Sequence, residues 1–196
     1  MHLFDFLSGH KGRKQPAVTT KTGDAGFSSL MGGERLPKHD QHFVTLGDLD
    51  ELSCLIGTAR HYLPAGHPFA QESKKIQSLL HHVMAVIASS PDSAVYKDLP
   101  HITEQDVIWL ESRQAFYSEN ARISGRFVLP GESNAASAWM DLCRAVCRRG
   151  ERSASALFTH QHSSNKKNRG NKDINAIRSF LNRLSDYFFV LARSLD

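Results

Sequence analysis

The chain has 196 residues, of which 40% are hydrophobic and 22% charged, with a net charge of +4. That length suits one domain with a core that stands without disulfides or metals, and an odd set of cysteines, Cys54, Cys143 and Cys147, suits a reducing cytosol better than a secreted scaffold. The mild basic excess favours an anionic ligand without the dense basic stripe of a nucleic-acid binder, and the absence of a membrane-length apolar run or secretory pattern leads us to expect a cytoplasmic protein without membrane contact.

Residues 1–18, beginning MHLFDFLSGHKGRKQP, read as a flexible extension, with a docking or encapsulation peptide as the alternative. Residues 19–196 read as one helical unit. Its first part, TTKTGDAGFSSLMGGERLPKHD (19–40), has glycines and a proline but little apolar period, and is expected to be a loop. Phe43, Leu46, Leu49, Leu52, Ile56 and Ala59 recur at helical spacing, predicting a first helix from Phe43 to Tyr62 that PAGHP (64–68) ends. A second is predicted near 70–89, with Ile76, Leu79, Leu80, Val83, Met84 and Ile87 on its core face. Thr103 and Asp106 form a capping pair for a third, through Trp109, Leu110 and Phe116. FVLPGES (127–133) is a short apolar stretch and turn. A long helix follows over about 133–159, then a polar linker, QHSSNKKNRGNKD (161–173). In the last segment Ile174, Ile177, Leu181, Leu184, Phe188, Leu191 and Leu195 alternate steps of three and four, a heptad seam. With almost no strand signal, an all-α antiparallel bundle is the expected fold.

Three groups carry chemistry. The loop TKTGDAGFSSL joins glycines, which let backbone N–H groups approach a ligand, to hydroxyls and Lys21; these suit phosphate oxygens. It is not a Walker A sequence, and on chemistry alone a flexible loop is an equal reading. The stretch RAVCRRGER (144–152) puts Arg144, Arg148 and Arg152 four residues apart, on one helical face. Arginine's planar fork suits phosphate or carboxylate. The apolar residues around the row predict an embedded helix, whose guanidiniums need acids or an anionic ligand. Glu151 could answer one arginine and Asp50 of GDLDEL another. The third group, Asn182, Arg183 and Asp186, reads equally as a ligand site or a structural network. His81–His82 and HQH (160–162) lack metal-ligand spacing and read as exposed histidines, and Cys143 and Cys147 as small buried thiols.

Taken in order, TKTGDAGFSSLMGGERLPKHD with GDLDELSCLIG, then FVLPGESNAASAWMDLCRAVCRRGER, then FLNRLSDYFFVLAR resemble the PduO-type ATP:cob(I)alamin adenosyltransferases over roughly residues 19–195. The resemblance implies a five-helix bundle forming a homotrimer, with ATP bound between subunits and its 5′-deoxyadenosyl group moved to the cobalt of cobalamin after reduction from cob(II)alamin to cob(I)alamin. It implies that Thr20, Lys21, Gly23, Asp24, Gly26, Ser28 and Lys38 surround ATP and its Mg²⁺, joined by Arg148, Glu151 and Asn182. Arg144 is expected to pair with Asp50 across the subunit boundary, and Phe127 to lie beneath the corrin and displace its lower ligand; a plain core role is the alternative for Phe127. A flavin-dependent reductase and an adenosylcobalamin-dependent enzyme are the implied transient partners, with no nucleic acid. A non-catalytic ATP- or cobalamin-binding relative, or a basic nucleic-acid-binding module, are the rival readings. This sequence departs from the family pattern at Glu132, in one extra residue between Phe127 and Arg144, and at Gly150, where alanine is common. A glycine there costs a helix about 1 kcal/mol unless close packing requires it.

Overall fold

The computed structural model describes residues 19–123, 125, 127–162 and 169–196. The extension 1–18 lies outside them, as do the side chains of HQH (160–162) and the middle of the polar linker. Five α-helices follow a small hairpin: β1 (Phe27–Ser29) and β2 (Arg35–Pro37), then α1 (Gln41–Ala59), α2 (Phe69–Ile87), α3 (Glu104–Ser118), α4 (Ala135–His162) and α5 (Arg169–Ser194). The helix spacing of the sequence is met in each case. The bounds differ where local chemistry decides them. Asp40 caps α1, accepting from the His42 N–H at 2.9 Å, so the helix starts ahead of its apolar pattern; it then tightens into a 3₁₀ turn at Arg60–Tyr62. Thr103 and Asp106 form the expected capping box at α3. The linker is shorter than expected, since helix continues to His162 and resumes at Arg169.

The hairpin corrects the expectation of a plain loop. β1 and β2 pair antiparallel, with Ser28 opposite Leu36. Too short to hold by itself, the hairpin is fastened to the end of α2, where the Met31 N–H donates to the Ala88 carbonyl at 2.8 Å.

α5 lies between α3 and α4, and α4 is also covered by α1, which packs on α2. Cross-helix pairs fix the directions. Gln41 reaches Ser153 and Arg149 reaches Asp48, so α1 and α4 are antiparallel. Cys147 meets Leu181 and Asp141 meets Arg193, so α4 and α5 are antiparallel as well. Six of the seven heptad residues of α5 are buried and Leu195 is half-buried. In α1, Leu49, Leu52, Ile56 and Ala59 are fully buried as expected, but in the first turns Thr45 is buried while Phe43 and Leu46 are half-buried. Thr45 can be buried because its hydroxyl donates to the Gln41 carbonyl at 2.8 Å.

At Gly150, α4 packs tightly against α1. A Cβ built there would lie 2.9 Å from Leu49 Cδ2, and Leu49 is fully buried. Close packing therefore accounts for the glycine.

Candidate active site

The arginine helix is embedded on one side only. Met140, Cys143, Val146, Cys147, Gly150, Ala154 and Leu157 face the core, whereas Arg144 is half-buried and Arg148 and Arg152 are exposed. This corrects the expectation of a buried arginine row: the same four-residue period that aligns the guanidiniums turns them away from the stripe that packs on α1 and α5. The arginine answered by acids within the chain is Arg149, off the row. Its Nε donates to Asp48 Oδ1 at 3.0 Å, and its guanidinium also pairs with Glu51. Ser153 donates to the same Asp48. These contacts clip α4 to α1. Among the described residues, no carboxylate forms an ion pair with Arg144 or Arg148. Arg144 instead holds its guanidinium carbon 5.6 Å from the Phe189 ring centroid, a cation–π distance. Asp50 is exposed on α1 and makes no contact with Arg144 within one chain.

Glu151 and Asn182 are brought together across α4 and α5, the amide donating to Glu151 Oε1 at 3.4 Å. Asn182 Oδ1 accepts from Arg183 at 2.7 Å, and Arg183 Nε donates to Glu111 at 2.8 Å. Asp186 is 3.8 Å from Arg183. The polar cluster of α5 is thus partly a structural network. It also walls a shallow cleft of about 320 Å³, lined by Glu151, Ser155, Arg178, Ser179, Asn182 and Arg183. Ser179 is shared with a larger cleft of about 830 Å³ that runs toward Tyr96, His101 and Asp173. Arg178 was not singled out in the sequence, because it stands outside both the heptad seam and the arginine row.

The loop residues converge on one another. Lys21 adopts a left-handed backbone conformation, φ 58°, which costs a non-glycine residue energy and recurs at ligand-binding turns. Its carbonyl accepts from the Asp24 N–H at 3.4 Å, and the Gly23 carbonyl accepts from Gly26 at 3.2 Å. Gly26 has φ 81°, and its carbonyl accepts from the Lys38 N–H at 2.9 Å. The Lys38 ammonium lies 3.1 Å from where a Gly23 Cβ would be, so the glycine lets this cation settle onto the turn. Thr20 Oγ1 is 3.0 Å from Thr22 Oγ1, and Ser28 is half-buried on β1. Arg35, not singled out earlier, donates to the Thr22 carbonyl at 3.0 Å; only the hairpin, invisible as a pattern, brings it there. Turned backbone and cations are the parts from which an anion cradle can be built. No hydrogen bond or ion pair among the described residues joins this cradle to Arg144, Arg148 or Asn182.

Phe127 is 95% exposed, which removes the plain core alternative. Leu129, at 61%, is exposed beside it. The two α4 thiols are core residues, as expected from the sequence. Cys143 and Cys147 are both buried, and burial pushes the Cys143 thiol up to about 12 and raises that of Cys147 as well, which leaves both unreactive. His81 is exposed and His82 half-buried. Among the described residues, no group of three or more His, Cys, Asp or Glu side chains could hold a metal, and no helix is long and apolar enough to cross a membrane.

The chain is thus a helical bundle with a cationic turn at one place and, at another, arginines that pair with no carboxylate among the described residues. The family described as Cobalamin adenosyltransferase matches residues 18–195. The corrinoid adenosyltransferase MMAB of Mus musculus is 42% identical over 183 residues, 92% of this chain and 73% of that protein. The corrinoid adenosyltransferase of Bacillus subtilis is 32% identical over 90% of this chain and 85% of its own. Among solved structures, a phenylalanine-to-alanine variant of the PduO-type ATP:corrinoid adenosyltransferase from Lactobacillus reuteri, complexed with cobalamin and ATP, superposes with a TM-score of 0.78 at 25% identity, covering 91% of this chain and 93% of that one. An arginine-to-lysine variant, complexed with ATP, gives 0.75 at 26% identity over 90% and 92%. The chain belongs to the cobalamin adenosyltransferase family.

Proposed function

We propose that this chain, an adenosyltransferase by family, moves the 5′-deoxyadenosyl group of ATP to the cobalt of cob(I)alamin and releases triphosphate through the residues described above. The observation that carries the reading is the division of labour on α4: Arg149 is neutralised by Asp48 and Glu51, whereas Arg148, a neighbour in sequence, faces solvent without an acidic partner among the described residues. Like charges in a row repel by a few tenths of a kcal/mol per pair, and an incoming polyphosphate relieves that repulsion.

Reduced cobalt is itself the nucleophile, so the protein need supply none. In the displacement, cobalt donates an electron pair to the 5′ carbon, and the carbon–oxygen bond breaks toward the triphosphate. What remains for the protein is alignment and stabilisation of charge on the leaving group. Thr20, Lys21, Gly23, Asp24, Gly26, Ser28 and Lys38 form the cradle for the phosphates. Arg148 supplies a bidentate cation, and Glu151 and Asn182 hold the nucleoside from the α4–α5 cleft. Mg²⁺ enters with ATP. It is held mainly by phosphate oxygens, with Asp24 and Ser28 of the cradle as candidate protein oxygens. The exposed Phe127 is free to meet the corrin face. An aromatic ring there would exclude the lower axial ligand without replacing its electron donation, and so ease reduction of cob(II)alamin.

Among the described residues of one chain, no hydrogen bond or ion pair joins the cradle to the arginine row or Asp50 to Arg144. The proposed assembly is a homotrimer in which neighbouring subunits complete each site and Asp50 of one pairs with Arg144 of the next. A cytoplasmic setting, with a flavin-dependent reductase and an adenosylcobalamin-dependent enzyme as transient partners, goes with this reading. The direct test mixes protein, MgATP and chemically reduced cobalamin and follows the adenosylcobalamin spectrum. Its appearance with triphosphate release supports the proposal, and nucleotide binding without it supports a non-catalytic relative.

A further inference from the structure

The most deeply buried ion pair among the described residues joins Asp141 to Arg193, which are 6% and 2% exposed, at 2.9 Å. A buried pair of this kind adds little net stability against an apolar substitute, and its best-attested use is to fix one arrangement over others. What it fixes is visible in its remaining bonds. The Asp141 oxygen that takes Arg193 also accepts the Gly131 N–H at 3.3 Å. Gly131 turns with φ 77°, and a Cβ on it would lie 3.2 Å from that of Ala138. On the far side, the Arg193 carbonyl accepts from the Arg122 N–H at 3.1 Å. The last turn of α5 therefore grips the connection between α3 and α4 near both of its ends, and that connection carries the exposed Phe127.

We infer that Asp141 and Arg193 are positioning residues that hold the Gly131 turn, and with it Phe127, in register with the arginine helix for corrin binding. The inference rests on Phe127 facing the corrin, as proposed above. The pair touches neither substrate. It acts through the turn.

The test compares Asp141→Asn with Phe127→Ala, measuring KM for cob(II)alamin turned over with a reductant, affinity for MgATP, and amide hydrogen exchange over residues 127–134. Asp141→Asn is expected to raise that KM about tenfold, to speed exchange in 127–134 without speeding it in α1 and α2, and to leave MgATP affinity within about twofold. Phe127→Ala is expected to give the same corrin defect without faster exchange at Gly131. Exchange that rises throughout the protein, or an unchanged corrin KM in Asp141→Asn beside a raised one in Phe127→Ala, overturns the inference. An inert Phe127→Ala overturns the reading of Phe127 and the inference with it, and the exchange arm separates that case from the loss of the grip alone. Should Asp141→Asn fail to fold, Gly131→Ala strains the same turn against Ala138 and carries the same expectations.

Discussion

Phe127 and Gly150 show how differently two single residues are constrained. Phe127 spends its apolar surface on solvent, so the fold gains little from it. Phe127→Ala should leave thermal stability within about 0.5 kcal/mol, as for other exposed positions, while turnover with cob(II)alamin and a reductant falls. A large loss of stability, measured by thermal melting, would return the ring to the core. Gly150 is set by packing alone. Alanine there gains about 1 kcal/mol of helix propensity, but its methyl meets Leu49, and overpacking a tight core costs about 1–3 kcal/mol. We expect Gly150→Ala to lower unfolding free energy by about 1 kcal/mol in urea titrations. A net gain would mean that Leu49 moves aside freely.

At the scale of elements, α1 and α4 are clipped by Arg149, Asp48, Glu51 and Ser153, and α2, α3 and α5 by a second network. Glu72 accepts from Arg113 Nε at 2.6 Å and from the hydroxyls of Tyr117 and Tyr187 at 2.9 and 2.6 Å. Beside this network His67 stacks on Tyr117, and burial depresses its pKa although Glu72 pulls the other way; burial likewise depresses that of His82 on α2. Both are held neutral in the folded chain, while the unfolded chain takes up protons near pH 6.5. Their stability contribution is complete above that value and is lost as pH falls below it toward the lowered native values. Melting temperature should therefore drop between pH 7.5 and 5.5, and the His67→Gln, His82→Gln double variant should drop less. Equal slopes for the two proteins would contradict the assignment.

For the whole molecule, periodicity made the bundle legible. Apolar spacing marked α1, α2 and α5, and a capping pair marked α3, whose Phe116 is exposed while Tyr117 is buried; the α5 seam and the capping box are present in the structure. The hairpin was not legible, because strands of three residues carry no alternation and depend on the end of α2 for support. The burial of the arginine row was misread for a physical reason: Leu142 and Ala145 looked like core residues, yet they lie on the outward side of α4. Apolar content alone does not say which face a single chain covers and which it leaves for a neighbour. Asp141–Arg193 was missed because its members are 52 residues apart and sit in separate patterns.

In the proposed reaction the outward guanidiniums of α4 receive the phosphates that leave when cobalt takes the adenosyl carbon. Isothermal titration of MgATP into Arg148→Ala and the unaltered protein asks this most directly. Loss of a charge-assisted contact of about 2 kcal/mol should weaken binding roughly 30-fold, with turnover reduced and the melting temperature of the free protein unchanged. MgATP affinity and turnover equal to those of the unaltered protein would contradict it.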